Sequence, residues 1–304
     1  MPNQMPQLNL HCTMAYSYFK DNITTLNDLF WFSECQSVAA KKSFSKHLAE
    51  EKVVEILGVR SEDSRRYPPL LSDYSNTNYE FSRWIKFNVI VSLSSCFEIY
   101  LKTIFTLLLK YNPGITLGIR NAVSGYKFIN KNLTDFNDVI HSHVERMTKG
   151  TWSSRVCNII KIYPELSSVF SDPVISDLEF IRKYRNSVSH AFGLDLETYD
   201  YSSSSEGRIL TGISLQRLKK LLGVIADTAQ DIDDVIRDND LLLFELFLFL
   251  KNEVTAEELS SAHLQQHIQK KIRQIIGKKI GHPILSKRRL NTVLQFYSSQ
   301  CVGN

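Results

Sequence analysis

The spacing of apolar residues along the chain predicts a protein built from helices. Between Phe81 and Tyr111, apolar side chains return every three or four positions, which is the period of one helix face. The tripeptide Asn112-Pro113-Gly114 ends this segment, because proline and glycine both oppose continuation of a helix. A stripe of this length needs other helices to pack against it.

Further helices follow from the same pattern and from start and stop signals. We expect a first helical region from about Tyr16 to Ile56, with its internal break undefined, and a loop over Arg65–Asn78, which contains two prolines. Asp172-Pro173 marks the start of a helix that Gly193 ends, since Asp caps free amides and Pro suits the first turn. The other predicted helices are Thr134–Met147, Thr151–Ile162, Ser214–Ile236, 241–252, Thr255–Ile276 and Ser286–Tyr297.

The segments between these helices show no convincing strand pattern. Residues 115–133 are predicted to be irregular, and residues 194–213 to form a surface loop or a short hairpin. The predicted fold class is therefore all-α. Three regions are expected: an N-terminal helical region (1–80), a central helical domain (81–236) and a basic helical C-terminal region (237–304).

Charge is distributed unevenly along the chain. Residues 259–304 hold eight Lys and Arg and no Asp or Glu, whereas 28 basic and 32 acidic residues precede them. This favours a polyanion near the C-terminus, with Lys270, Lys271 and Arg273 as substrate contacts. The alternative is a solvated amphipathic helix end, where cations are also favourable.

Several function classes lack their signatures. The five cysteines are widely separated and include no C-x-x-C pair, so neither a disulfide framework nor a structural zinc site is predicted. We also expect no other metal and no cofactor. Glycine-rich phosphate loops and the G-x-S-x-G motif are absent, which argues against an NTPase, a dinucleotide enzyme or an α/β-hydrolase. The N-terminus has no signal-peptide pattern, and the apolar run 241–250, interrupted by Glu245, is shorter than the roughly 20 residues of a membrane span. We expect a cytoplasmic protein with no membrane partner.

The segment RKYRNSVSH, residues 182–190, gathers polar groups on one side of a helix. At about 100° per residue, Arg182, Asn186 and His190 form one row, with Arg185 at its border. Apolar residues such as Ile181 fill the other side. A solvated face is one interpretation. An anion site is the other, because Arg182 and Arg185 repel each other three positions apart and an anion bound by both would relieve that cost.

An arginine clamp beside a histidine suits metal-independent RNA cleavage. A base removes the proton of a ribose 2′-OH, that oxygen attacks the adjacent phosphorus, and an acid protonates the leaving 5′ oxygen. His190 is the candidate acid or base, and Arg185 is the candidate clamp. DNA lacks the 2′-OH and would be spared. A single helix supplies a single histidine, so a symmetric dimer is expected to bring the second one.

The stretch FIRKYRNSVSHAFG, residues 180–193, resembles the signature helix of the HEPN superfamily (higher eukaryotes and prokaryotes nucleotide-binding domain). In that signature an Arg and a polar residue, often Asn, precede a His and commonly a Gly; Arg185, Asn186, His190 and Gly193 match it. Upstream, SSCFEIYLKTIF, residues 94–105, is similar to a long helix of several members, through Phe97-Glu98 and Tyr100-Leu101.

The resemblance covers roughly residues 81–236. It implies a HEPN-like helical bundle, a homodimer with a composite cleft, and a metal-independent endoribonuclease of anti-phage defence or toxin–antitoxin systems, with a possible antitoxin or activating partner. Asn186 would orient the catalytic pair, and Arg182 would contact RNA phosphate. Glu98 would bind substrate in the cleft and orient Arg185. The alternative is that Glu98 forms a salt bridge that supports the fold. The competing hypothesis is a non-catalytic HEPN-like nucleotide-binding or interaction scaffold.

Overall fold

A computed structural model gives the structure of most of the chain. It describes residues 6–8, 10–59, 62–120, 123–129, 134–191, 212–253, 266–270, 272–274, 286–297 and 299. The side chains of residues 134–135, 189–191, 252–253 and 287 lie outside this description.

The described residues form helices joined by turns, which confirms the predicted all-α class. The single β feature among them is an isolated antiparallel bridge between Lys52 and Leu70. Short 3-10 helices occupy Glu62–Arg66, Pro113–Leu117, Gly125–Phe128 and Pro164–Ser168. The α-helices are α1 (Met14–Phe44), α2 (Val53–Ile56), α3 (Leu71–Tyr111), α4 (Thr134–Thr148), α5 (Trp152–Ile162), α6 (Asp172–Ala191), α7 (Leu215–Ile236), α8 (Asn239–Glu253) and α9 (Lys287–Tyr297).

The start of α3 corrects the loop expected over Arg65–Asn78. The helix begins at Leu71, two residues after Pro69, so the prediction is wrong from Leu71 onward. Asp73 accepts a hydrogen bond from the Leu70 amide at 3.2 Å, and the Ser75 hydroxyl donates to the Leu71 carbonyl at 3.0 Å. Polar side chains that suggested a loop therefore satisfy the first turn of the helix.

The chain divides into two compact units that do not follow chain order. Unit 1 comprises 1–21, 96–176 and 224–304, and unit 2 comprises 22–95 and 177–223. Four helices, α1, α3, α6 and α7, supply residues to each unit. The three regions predicted along the sequence, 1–80, 81–236 and 237–304, stay a prediction.

The core of unit 1 is aromatic. Phe97 and Tyr100 of α3 are almost completely buried. Phe97 stacks on Trp152 of α5 with ring centroids 5.7 Å apart, and Tyr100 packs against Phe19 of α1 at 5.2 Å. The Tyr100 hydroxyl donates to the Ala229 carbonyl of α7 at 3.0 Å. One turn of α3 therefore contacts three other helices.

Unit 2 has its own aromatic contacts. Phe87 of α3 meets Tyr184 of α6 edge to face, with ring centroids 5.7 Å apart. Phe44 at the end of α1 meets Tyr74 of α3 in the same manner at 4.7 Å. Ile181 of α6 is 2% exposed. The contact of Tyr184 with Phe87 and the burial of Ile181 hold α6 by its apolar side.

Two buried carboxylates cap the first turn of α1 within unit 1. Asp233 of α7 accepts hydrogen bonds from the Thr13 hydroxyl at 2.6 Å and the Thr13 amide at 3.2 Å. Glu245 of α8 accepts from the amides of Met14 at 2.8 Å and Ala15 at 3.0 Å. Burial raises the pKa of Glu245 to about 7; the two amide bonds act in the opposite direction, and nearby Asp233 adds to the rise.

By length and hydropathy alone, α3 meets the requirement for a membrane span. Core helices of soluble proteins meet the same requirement, and half of the most apolar window of α3 is buried within the protein. The expectation of no membrane partner stays a prediction.

The raised pKa of Glu245 predicts a pH-dependent stability. Between about pH 4.5 and 7 the native state keeps a proton that the unfolded chain has lost, so stability falls as the pH rises through this window. Relative to Glu245→Gln, the wild type should lose about 3 kcal/mol of unfolding free energy from pH 4 to pH 8. Chemical denaturation at several pH values measures this difference. Asp231→Asn, an exposed acid on α7, controls for loss of a carboxylate, and a pH-independent difference for Glu245→Gln would contradict the assignment.

Candidate functional site

The candidate site lies on α6, one side of which packs into unit 2. Leu178, Ile181 and Tyr184 are 1%, 2% and 7% exposed. Their burial fixes the rotation of the helix about its axis. Arg182, Arg185 and Asn186 consequently remain half-buried at the border and on the other side.

Arg185 and Asn186, both of unit 2, are brought into contact. The Nη1 of Arg185 donates to the side-chain carbonyl of Asn186 at 3.2 Å. The predicted role of Asn186 is to orient the catalytic pair, and this role stays a prediction. A guanidinium is a planar group with several N–H donors, so a hydrogen bond at one of them constrains the plane of the whole group.

His190 belongs to the last turns of α6, which ends at Ala191. Its side chain lies outside the described residues, so its position relative to Arg185 stays a prediction. The helical backbone places His190 four residues after Asn186, a spacing that puts two residues on the same side of a helix.

Arg182 has an acidic neighbour on α6. Its Nη2 lies 2.6 Å from Oε1 of Glu179, and its Nε lies 3.0 Å from Oε2. This two-point contact, with both side chains about a quarter exposed, neutralises the cation that was predicted to contact RNA phosphate. The repulsion between Arg182 and Arg185, which suggested an anion site, is thereby reduced by the protein itself.

A second charged cluster in unit 2 joins α6 to α7. The carboxylate of Asp177 lies 2.8 Å from both Arg217 and Lys220. Burial would raise the pKa of Asp177, but the hydrogen bonds and charges of Lys220 and Arg217 together lower it. Arg217 also lies 4.9 Å from the ring centroid of Phe180. The cluster holds the start of α7 against α6.

Glu98 belongs to unit 1, in the α3 segment that begins at Cys96. Its Oε1 lies 3.5 Å from Nη2 of Arg155, whose side chain is 6% exposed. This contact is the fold-supporting salt bridge that was the alternative to a role in the cleft. The predicted role in substrate binding stays a prediction.

Two of the three predicted C-terminal contacts are described. Lys270 is exposed, and Arg273 is half-buried in a short helical segment, 272–274. Ile268 and Ile272 are 1% and 0% exposed, so this region packs by its apolar side and leaves Lys270 in solvent. Lys271 lies outside the described residues.

Comparison with known proteins adds no relative. No protein-family model matches the chain, and neither a curated protein nor a solved structure matches it. The likeness of α6 to the HEPN signature helix consequently rests on the residues of the chain itself.

Two ion pairs of α6 were not predicted from the sequence. Glu179 was recognisable, because it precedes Arg182 by three positions, the spacing of neighbours on a helix. Asp177 and Arg217 are 40 residues apart, and no sequence pattern links them.

The separation of the two sides of α6 predicts different stability effects. Ile181→Ala should lower the unfolding free energy by about 2 to 4 kcal/mol, because it removes a fully buried side chain. Lys183→Ala, on the exposed side of the same helix, should change it by less than about 0.5 kcal/mol. Urea denaturation followed by circular dichroism measures both. Similar effects of the two substitutions would show that α6 does not pack as described.

Proposed function

We propose that the protein is a metal-independent endoribonuclease of the HEPN type that acts through the polar side of α6. The observation that carries the proposal is the contact between Arg185 and Asn186 on a helix that ends one residue after His190. Ile181 and Tyr184 are buried, whereas Arg185 and Asn186 are half-buried.

The proposed reaction uses groups that this helix supplies. The imidazole of His190 takes the proton of a ribose 2′-OH, and the resulting oxygen attacks the neighbouring phosphorus. The bond from phosphorus to the 5′ oxygen breaks as an imidazolium donates a proton to that oxygen, leaving a 2′,3′-cyclic phosphate. Arg185, oriented by Asn186, stabilises the charge that develops on the non-bridging oxygens.

The second proton carrier requires a second chain. A homodimer with two-fold symmetry would present two copies of α6 to one RNA strand, so that one His190 acts as base while the other acts as acid. Exposed Lys270 is a candidate contact to the phosphate backbone outside the reacting centre.

The proposed setting is anti-phage defence or a toxin–antitoxin system in the cytoplasm. A ribonuclease that needs only side chains has no cofactor whose supply could limit it. A partner that restrains or activates the enzyme is therefore part of the proposal.

The polar side of α6 predicts which substitutions abolish cleavage. With total RNA in excess EDTA, His190→Ala and Arg185→Ala should each reduce cleavage at least about 100-fold, as expected for loss of a general acid–base or of a charge-stabilising group. Cleavage products and their 2′,3′-cyclic ends are measured by gel electrophoresis and end-specific ligation.

Lys161→Ala on α5 is the control, because it removes an exposed cation outside α6. It should cleave like the wild type, and the circular dichroism spectra of all three variants should agree. If His190→Ala or Arg185→Ala cleaves as fast as the wild type, catalysis by α6 is excluded.

A non-catalytic nucleotide-binding or interaction scaffold is the second candidate. The observation that favours it is the pairing of Arg182 with Glu179, because an arginine already neutralised by the protein contributes less to binding of a polyanion. Under this proposal α6 would bind a partner or a nucleotide without breaking a bond.

Release of Arg182 predicts tighter RNA binding. Glu179→Gln removes the competing carboxylate, so RNA affinity should rise and the slope of log affinity against log salt should steepen by about one. Glu80→Gln is the matched control, because Glu80 pairs with Arg83 at the same spacing on α3. Equal behaviour of Glu179→Gln and the wild type would show that Arg182 does not contact RNA.

A further inference from the structure

Unit 2 contains a cavity of about 390 Å³ between α1 and α3 that the proposed reaction does not use. Ser37 and Ala40 line its α1 side, and these small side chains leave the space open. Val53, Leu57 and Tyr67 form a further wall. Its volume falls in the range of small-molecule sites, about 300 to 1000 Å³.

The walls of the cavity are mainly apolar and aromatic. Tyr67, Tyr74 and Phe81 contribute three rings, and Phe81 is 50% exposed at the rim. The Asn78 amide, which also lines the cavity, donates to the Ser37 hydroxyl at 3.2 Å. This hydrogen bond joins α3 to α1 beside the space.

Glu34 is the single charged residue among those that line the cavity. It is half-buried, and it forms no ion pair or hydrogen bond with the residues that the structure describes. A ligand that fills the cavity removes water from this carboxylate. For a neutral or anionic ligand that desolvation is a cost, whereas a cation replaces the lost water with an ion pair.

We propose that this cavity binds a small organic cation, an ammonium group carried on an aromatic or aliphatic body. The ammonium pairs with Glu34, and the faces of nearby rings attract the same charge. The body of the ligand occupies the apolar space that Ser37 and Ala40 leave open. The site is independent of α6 and of the proposed cleavage.

Three ligands of nearly the same shape test the charge preference. Phenethylammonium, phenethyl alcohol and phenylacetate are titrated into the full-length protein, and binding is followed by calorimetry and ligand-observed NMR. Phenethylammonium should bind about tenfold tighter than the alcohol, corresponding to one well-placed charge pair. Phenylacetate should bind more weakly than the alcohol.

Two pairs of variants locate the site. Glu34→Gln should remove the preference for the cation while leaving the alcohol affinity unchanged, and Asp28→Asn, an exposed acid on α1, should keep the preference. Ala40→Trp should fill the cavity and abolish binding of both ligands. Ala39→Trp, at an exposed neighbouring alanine outside the cavity lining, should bind as the wild type does.

Three results would overturn the proposal. The first is the absence of saturable phenethylammonium binding to the folded wild type. The second is equal affinity for the cation and the alcohol, or a cation preference that survives Glu34→Gln. The third is a wild-type dimer that Ala40→Trp dissociates, because a second copy of the chain would then cover the cavity.

Discussion

The phenol of Tyr100 is the group on which the core of unit 1 depends. A buried hydroxyl without a partner costs free energy, and the Ala229 carbonyl supplies that partner at 3.0 Å. The hydrogen bond fixes the height of α7 against α3, while the ring packs against Phe19 of α1. With Phe97 stacked on Trp152 one turn away, the same part of α3 sets the positions of three helices.

The position of the polar side of α6 is set by buried residues on the opposite side of the helix. Ile181 and Tyr184 are buried, so the helix cannot rotate without exposing them. Arg185 and Asn186 are half-buried and contact each other. Two acids of α6 pair with nearby cations. Glu179 pairs with Arg182, and Asp177 pairs with Arg217 and Lys220 of α7. The charge of Arg182 is therefore balanced within the protein.

Periodicity was sufficient to predict much of the fold, because most helices here are amphipathic and end at proline, glycine or a capping acid. The start of α8 is an example. The sequence DND, residues 238–240, predicted a break between two helices, and Asp238 accepts a hydrogen bond from the Leu241 amide at 2.7 Å. The first turn of α3 was missed because Asp73 and Ser75 resemble loop residues until their partners are known. Contacts such as Glu98 with Arg155 were open alternatives, since partners 57 residues apart leave no periodic trace.

The Glu245 carboxylate has a consequence for the assembly of α8. The sequence LLLFELFLFL is apolar around most of the helix, and residues from Leu241 to Phe247 are buried. A helix that is apolar on every side buries nearly the same apolar area in several rotations about its axis. The one acid removes this degeneracy, because a single rotation brings it to the amides of Met14 and Ala15. Glu245 thus selects one rotation of a helix whose other residues in this run are apolar. The cost of this selection is the burial of an acid.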